Sequence, residues 1–236
     1  IAYGILDRVA ADKIPMTTLG YGRSDAANGK VFPYVFPLVT HYWSLNTDIV
    51  RFIGQREGGM EKLKGKKIVH LHHGSAYGKE PNAIFLKQAE KYGFEAKIIE
   101  VPAPGSEQQA QWLEIRQFKP DWVIVTGWGV MNPAMLKNAA RVGFPMDHII
   151  GNFWTGSEED VEPVGAGVAV GAGLSLVSMQ SLLFGVTGAA LFEGPEARAA
   201  FEAGMFRAIA LAGRFGIPNL VFGSPLQRRV PDGLAM

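Results

Sequence analysis

Three short apolar runs, within Lys66–Leu71, Glu95–Val101 and Asp121–Thr126, begin roughly every 27 residues, the length of a βα unit. They predict strands near 67–71, 96–100 and 122–126, and Ile149-Ile150 continues the series. Helical spacing fills the gaps. Tyr42, Leu45, Ile49 and Ile53 fall on one helical face; so do Phe85, Ala89 and Tyr92, with Gly93 as the stop. Ser106 and Gln109 have the spacing of a capping box ahead of Trp112, Leu113 and Phe118. Asn132, Pro133 and Gly143 read as a cap, a first-turn proline and a C-terminal glycine. Strand and helix alternating in this rhythm predict an α/β fold, a parallel sheet covered by helices on both faces.

The rhythm breaks between Pro163 and Phe192, a stretch without charge and rich in Gly, Ala, Val, Ser and Leu. Six glycines with Ser175, Ser178, Gln180 and Ser181 favour a joint (165–173) and a buried strand (174–179) over a membrane span. Beyond it, Phe201, Met205, Ala208 and Ala212 mark one helix face, and Asn219 to Phe222 mark a further strand.

Composition narrows the function. Of 236 residues, 47% are hydrophobic and 19% charged, so a core is expected rather than disorder. The 23 basic and 22 acidic residues leave a formal charge of +1, which gives nucleic acid no field to follow. Zero cysteines exclude disulfides, thiolate metal sites and cysteine nucleophiles. The opening Ile1–Leu6 runs into Asp7-Arg8 without the layout of a secretory signal, and a chain that starts as if inside a helix is expected of a fragment or processed product.

Chemistry-bearing motifs are sparse. His70, His72 and His73 form a cluster, but no third ligand stands at metal spacing, and they read as ordinary strand-end residues. Gly20-Tyr21-Gly22 and Gly127-Trp128-Gly129 lack the third glycine of a dinucleotide fingerprint, and a Gly-x-Ser-x-Gly elbow is absent. No metal or cofactor is expected. Aromatic residues say more: Tyr21, Tyr77, Trp128 and Trp154 each follow an apolar run, at the edge where open α/β sheets bind ligands. Lining one cleft and packing loops onto the sheet are equal readings of that pattern.

Taken in order, Ile14-Pro15-Met16-Thr17-Thr18-Leu19-Gly20, Tyr34-Val35-Phe36-Pro37, Gly65-Lys66-Lys67-Ile68-Val69-His70, Ser75-Ala76-Tyr77-Gly78-Lys79 and Lys119-Pro120-Asp121-Trp122-Val123 resemble the periplasmic solute-binding proteins of branched-chain amino-acid-type ABC transporters. The resemblance covers about residues 1–163. It implies a doubly wound parallel sheet of the type I periplasmic-binding-protein lobe, with 1–40 part of a first lobe and 41–163 a second lobe. It further implies a periplasmic setting, an ABC permease as partner, and a small polar ligand. Gly20, Tyr21, Gly22 and Arg23 would belong to the loop that receives a ligand carboxylate, Tyr77 would contact ligand from the second lobe, and Trp128 and Trp154 would supply aromatic walls. Amino-acid binders of this family carry an acid after the strand at 149; here Asn152-Phe153-Trp154 stands there, which widens the ligand class to amides and urea-like molecules.

Residues 172–236 carry a second resemblance. Ser178-Met179-Gln180-Ser181-Leu182-Leu183-Phe184-Gly185, Gly216-Ile217-Pro218-Asn219-Leu220-Val221-Phe222-Gly223-Ser224-Pro225 and Arg228-Arg229 are similar to xylose-isomerase-like sugar phosphate isomerases/epimerases. It implies an appended βαβ fragment after the Gly-rich joint (164–236 together), far short of an eight-unit barrel and without histidine. The leading expectation is therefore a non-enzymatic solute-binding protein, apparently truncated and a weak binder. The rivals are a piece of a sugar isomerase and a fusion product without intact activity.

Overall fold

The structure, a computed structural model, describes residues 2–18, 23–37, 40–155, 160, 179–180, 182–183, 185–218, 220–221, 227 and 229–230. The chain divides into two compact units, Ile1–Met131 with His148–Asn152 and Asn132–Asp147 with Phe153–Met236.

The first unit begins with α1 (Leu6–Asp12), β1 (Met16–Thr18), β2 (Val35–Pro37) and α2 (Tyr42–Arg56). It continues through β3 (Lys67–His73), α3 (Ala76–Lys79), α4 (Asn82–Tyr92), β4 (Glu95–Val101), α5 (Gln109–Phe118) and β5 (Trp122–Thr126). Helix α6 (Met131–Val142) belongs to the second unit save its first residue, and β6 (Ile149–Gly151) returns to the first. Strands β1 and β2 form a two-stranded parallel sheet with Met16 opposite Val35. The other four form a parallel sheet in the order β4-β3-β5-β6, with Lys67 opposite Glu95, Ile68 opposite Trp122 and Val123 opposite Ile149. All lie where the apolar runs predict them.

Burial explains why those runs are continuous rather than alternating. Every residue of β5 is buried, as are the five central residues of β3, because both faces of the sheet are covered. On one face Ile68 and Ile124 pack with Ile49, Val50 and Ile53 of α2 and Phe85 of α4. Val69, Leu71, Val123 and Val125, on the other face, are fully buried too. Gly93 ends α4 in the left-handed region at φ 74°, its N–H donating to the Ala89 carbonyl.

The amino edge of the sheet is tied by charge. Glu57 accepts from the Trp122 indole N–H at 2.7 Å and pairs with Lys66 at 2.7 Å, and Lys66 also reaches Asp121 at 3.4 Å. The hydrogen bonds from Lys66 and Trp122 hold the Glu57 carboxyl below its ordinary range, and Glu57 in turn raises Lys66. His148 stacks on Trp122, with ring centroids 4.4 Å apart.

Two helix starts differ from expectation. Helix α5 begins at Gln109 rather than after a Ser106 cap. The fully buried Gln108 amide donates to the carbonyls of Gly105 and Met131 and accepts from Trp112 Nε1, which ties the preceding loop to the starts of α5 and α6. Leu113 is half exposed rather than core. Asn132 is the second residue of α6, not its cap.

In the second unit, β7 (Met179–Gln180) and β8 (Leu220–Val221) pair in parallel on either side of α7 (Pro195–Phe215) along the chain, a βαβ unit. The expected face of α7 is the buried one: Ala208 and Ala212 pack with Leu182, and Phe201 with Leu183. The expected joint at 165–173 and positions 174–178 of the expected strand lie outside the described residues. Among those described, no helix is long and apolar enough to cross a membrane.

Candidate functional site

In the four-stranded sheet the chain steps from β3 to β4 on one side, then crosses to place β5 on the other side of β3. The winding direction therefore reverses between β3 and β5, and the loops leaving their carboxyl ends diverge into the crevice where open α/β sheets take ligands. Tyr77 stands in the loop-helix after β3 and Trp128 in the loop after β5.

The turn after β3 is set locally. Ser75 caps α3, its Oγ accepting from the Gly78 N–H at 3.3 Å. Gly78 is buried against the His73 backbone, and a Cβ there would collide with the His73 carbonyl. This close approach points Tyr77 across the crevice. Its hydroxyl donates to the Gly127 carbonyl at 3.0 Å and accepts from Asn152 Nδ2 at 2.6 Å. The Asn152 N–H donates to the Val125 carbonyl at 3.1 Å, which fixes Asn152 beside β5. Tyr42 meets the Tyr77 ring edge to face at 5.2 Å. Burial pushes the Tyr77 phenol upward, so it stays a protonated donor. Trp128, next to Gly127, keeps 46% of its surface exposed.

Below this edge runs a hydrogen-bonded chain. His70 is fully buried, with Nδ1 at 2.9 Å from Asn82 Oδ1 and Nε2 at 2.8 Å from Thr126 Oγ1. Asn82 Nδ2 lies 3.4 Å from His72 Nε2, and His72 Nδ1 donates to the His73 carbonyl at 2.9 Å. Both ring nitrogens of His70 are thus used within the fold. Among the described residues no three His, Asp or Glu side chains group to hold a metal.

Arg23 approaches the same edge. Its Nε lies 3.1 Å from Glu80 Oε2, and its guanidinium donates to Asp25 at 2.6 Å. The Ser24 N–H donates to Glu80 Oε1 at 2.7 Å, and Ser24 Oγ accepts from the Trp43 N–H at 3.1 Å, serving a helix start that has no side-chain cap of its own.

Of the residues singled out by sequence, the structure brings together Tyr77 and the Trp128 loop, and places Arg23 against Glu80, three residues beyond Tyr77. Gly20, Tyr21 and Gly22 lie outside the described residues. Trp154 belongs to the second unit, where its carbonyl accepts from Asn132 Nδ2 at 2.7 Å and Asn132 also donates to Asp160 at 3.0 Å. Sequence reasoning missed Glu80 as a partner of Arg23 and Asn152 as a brace for Tyr77. A hint for Glu80 was its position directly after Tyr77-Gly78-Lys79. The edge presents the half-exposed Trp128 ring beside the Tyr77 bridge, an apolar surface of the kind that lines ligand clefts.

The chain matches the periplasmic binding protein family over residues 1–209. A crystal structure described as an ABC transporter permease from the Pseudomonas fluorescens group is 53% identical, with a TM-score of 0.68, over 71% of this chain and 40% of that one. A branched-chain amino acid ABC transporter from Thermus thermophilus with bound valine shares the fold at 20% identity and a TM-score of 0.59, over 69% of this chain and 41% of that one. A leucine binding protein from Thermotoga maritima shares it at 16% identity and a TM-score of 0.56, over 70% and 45%. The chain thus spans about 40% of the length of the first two. Comparison with curated proteins gives no match. The family match runs on through 172–209, part of the stretch expected to be an isomerase-like fragment, and no comparison supports that fragment. By the extent of that match, the chain belongs to the periplasmic binding protein family.

Proposed function

We propose that this chain is part of a periplasmic solute receptor serving an ABC importer, with residues 1–40 from a first lobe, 41–163 from a second, and no catalysed reaction. Its work is to hold a small polar solute, an amino acid, amide or urea-type molecule, at the carboxyl edge of the four-stranded sheet. The observation that carries this reading is the Tyr77 hydroxyl bridging Gly127 and Asn152 at the switch point, with Trp128 exposed beside it. Tyr77 braces the crevice and Trp128 supplies an apolar wall; by family resemblance Arg23, Gly20, Tyr21 and Gly22 would contact the same solute. Asn152 spends its amide on Tyr77 where amino-acid binders carry an acid, which favours neutral amide or urea-type solutes.

Calorimetry of the chain against leucine, valine, short aliphatic amides and urea tests the reading. Saturable binding of one of them, lost in Trp128→Ala with the fold retained, is the expected result. Binding unchanged by Trp128→Ala, or no binding across the panel, overturns it.

A further inference from the structure

The Ser24 N–H and the Arg23 guanidinium form a receptor for an anion: one backbone donor and one fixed positive charge converging on the same carboxylate. That carboxylate is Glu80, with Oε1 at 2.7 Å from Ser24 N and Oε2 at 3.1 Å from Arg23 Nε. Its side chain is 7% exposed, while Arg23 is 44% exposed, so the anion is enclosed and the cation faces solvent. The Glu80 backbone is anchored as well, its carbonyl accepting from Trp43 Nε1 at 2.9 Å. Trp43 N–H donates to Ser24 Oγ, which closes a ring of contacts through Ser24, Glu80 and Trp43.

A surface ion pair between mobile side chains needs no such enclosure. Here a buried carboxylate uses both oxygens on two adjacent residues of a distant segment, and a carboxylate without such partners would stay in water. We propose that Glu80 is a resident carboxylate that fills this anion receptor, so that the Arg23–Ser24 wall turns away solutes bearing a carboxylate. A ligand carboxylate seeking Arg23 and Ser24 N–H must displace Glu80, leave it buried without its donors, and share the guanidinium with Asp25, which Arg23 already holds at 2.6 Å. Neutral solutes meet no such competition. The selectivity part rests on the solute-receptor reading; the occupancy of the receptor by Glu80 does not.

Chemical rescue tests the proposal. Acetate and acetamide are titrated at constant ionic strength into the wild-type chain, Glu80→Ala and Glu80→Gln, while the Ser24 amide resonance is followed by NMR. In Glu80→Ala the Ser24 amide is expected to shift saturably with acetate and not with acetamide. Wild type, where Glu80 fills the receptor, and Glu80→Gln, where a carboxamide fills it, are expected to show no saturable response. An equal acetate response in wild type overturns the proposal, as does none in a folded Glu80→Ala. Should the alanine variant lose the β3–β5 sheet, amide exchange in Glu80→Gln decides. The Ser24 amide must then exchange about tenfold faster than in wild type with Val69 and Ile124 unchanged, since a charge-assisted bond is roughly twice as strong as a neutral one; equal rates overturn the proposal. Rescue without binding of any solute in the calorimetric panel upholds Glu80 and removes the receptor reading. Solute binding without rescue does the reverse.

Discussion

Thr126 Oγ1 lies 2.8 Å from His70 Nε2, inside the sheet and one residue before the Gly127 loop. Because His70 Nδ1 faces the acceptor Asn82 Oδ1, the proton sits on Nδ1 and the Thr126 hydroxyl donates to Nε2. Removing the donor strands a buried acceptor. Thr126→Val keeps the volume and is expected to cost about 1–3 kcal/mol in denaturant unfolding. A loss within experimental error would show that Nε2 needs no partner.

Acid stability follows from the same imidazole. Burial lowers His70 to about 3 from 6.5. Below pH 6.5 the unfolded chain takes a proton that the folded chain refuses, so this contribution is complete above 6.5 and is lost as pH falls toward 3. The loss amounts to at most about 5 kcal/mol. Glu57, held below 4.5, acts in the same direction at lower pH. Unfolding midpoints measured from pH 7 to 4 are expected to fall, and to fall less steeply in His70→Gln. Parallel curves for the two proteins would remove His70 as the cause.

Tyr77→Phe deletes the hydroxyl shared by Gly127 and Asn152 while keeping the ring against Tyr42. The Gly127 carbonyl and the buried Asn152 amide each lose this one hydrogen bond, a cost of about 1–3 kcal/mol. Hydrogen exchange is expected to quicken at 127–129 before it does at Val69 or Ile124. Exchange rising equally across the sheet would mean that the hydroxyl supports the fold and not the loop.

Gly78→Ala places a methyl against the His73 carbonyl, which is backbone and cannot turn aside. Overpacking of this kind costs about 1–3 kcal/mol. The Tyr77 ring is expected to shift off Tyr42, visible as lost ring-current shifts in the Tyr42 resonances. Unchanged resonances with full stability would show that the turn has slack.

The sheet was legible because burial on both faces leaves β5 apolar up to Thr126 and β3 apolar apart from its histidines, and each helix shows its buried face at helical spacing. Tyr77 and Trp128 were legible for a related reason: each follows a strand, and parallel strands bring their carboxyl ends to one side. The pairing of Arg23 with Glu80 was not legible, since the two are distant in sequence and the sequence assigns Arg23 to a ligand rather than to a partner within the chain. The start of α5 was misread because Gln108 and Ser106 are both plausible polar residues before a helix. Only the fold shows Gln108 reaching Met131, 23 residues on.

The bridge from Asn152 to Tyr77 spans 75 residues of chain, and that from Tyr77 to Gly127 spans 50. Strand β3 needs far shorter closures to find β4, so the sheet centre can nucleate before either bridge exists. Contacts formed after the rate-limiting step change how fast a protein comes apart, not how fast it assembles. Asn152→Ala is therefore expected to speed unfolding and leave the refolding rate alone in stopped-flow measurements, and slowed refolding would place the bridge in the nucleus. The crevice is then a late arrival: a nascent chain displays its central strands first, and the Tyr77 bridges close only when β6 docks.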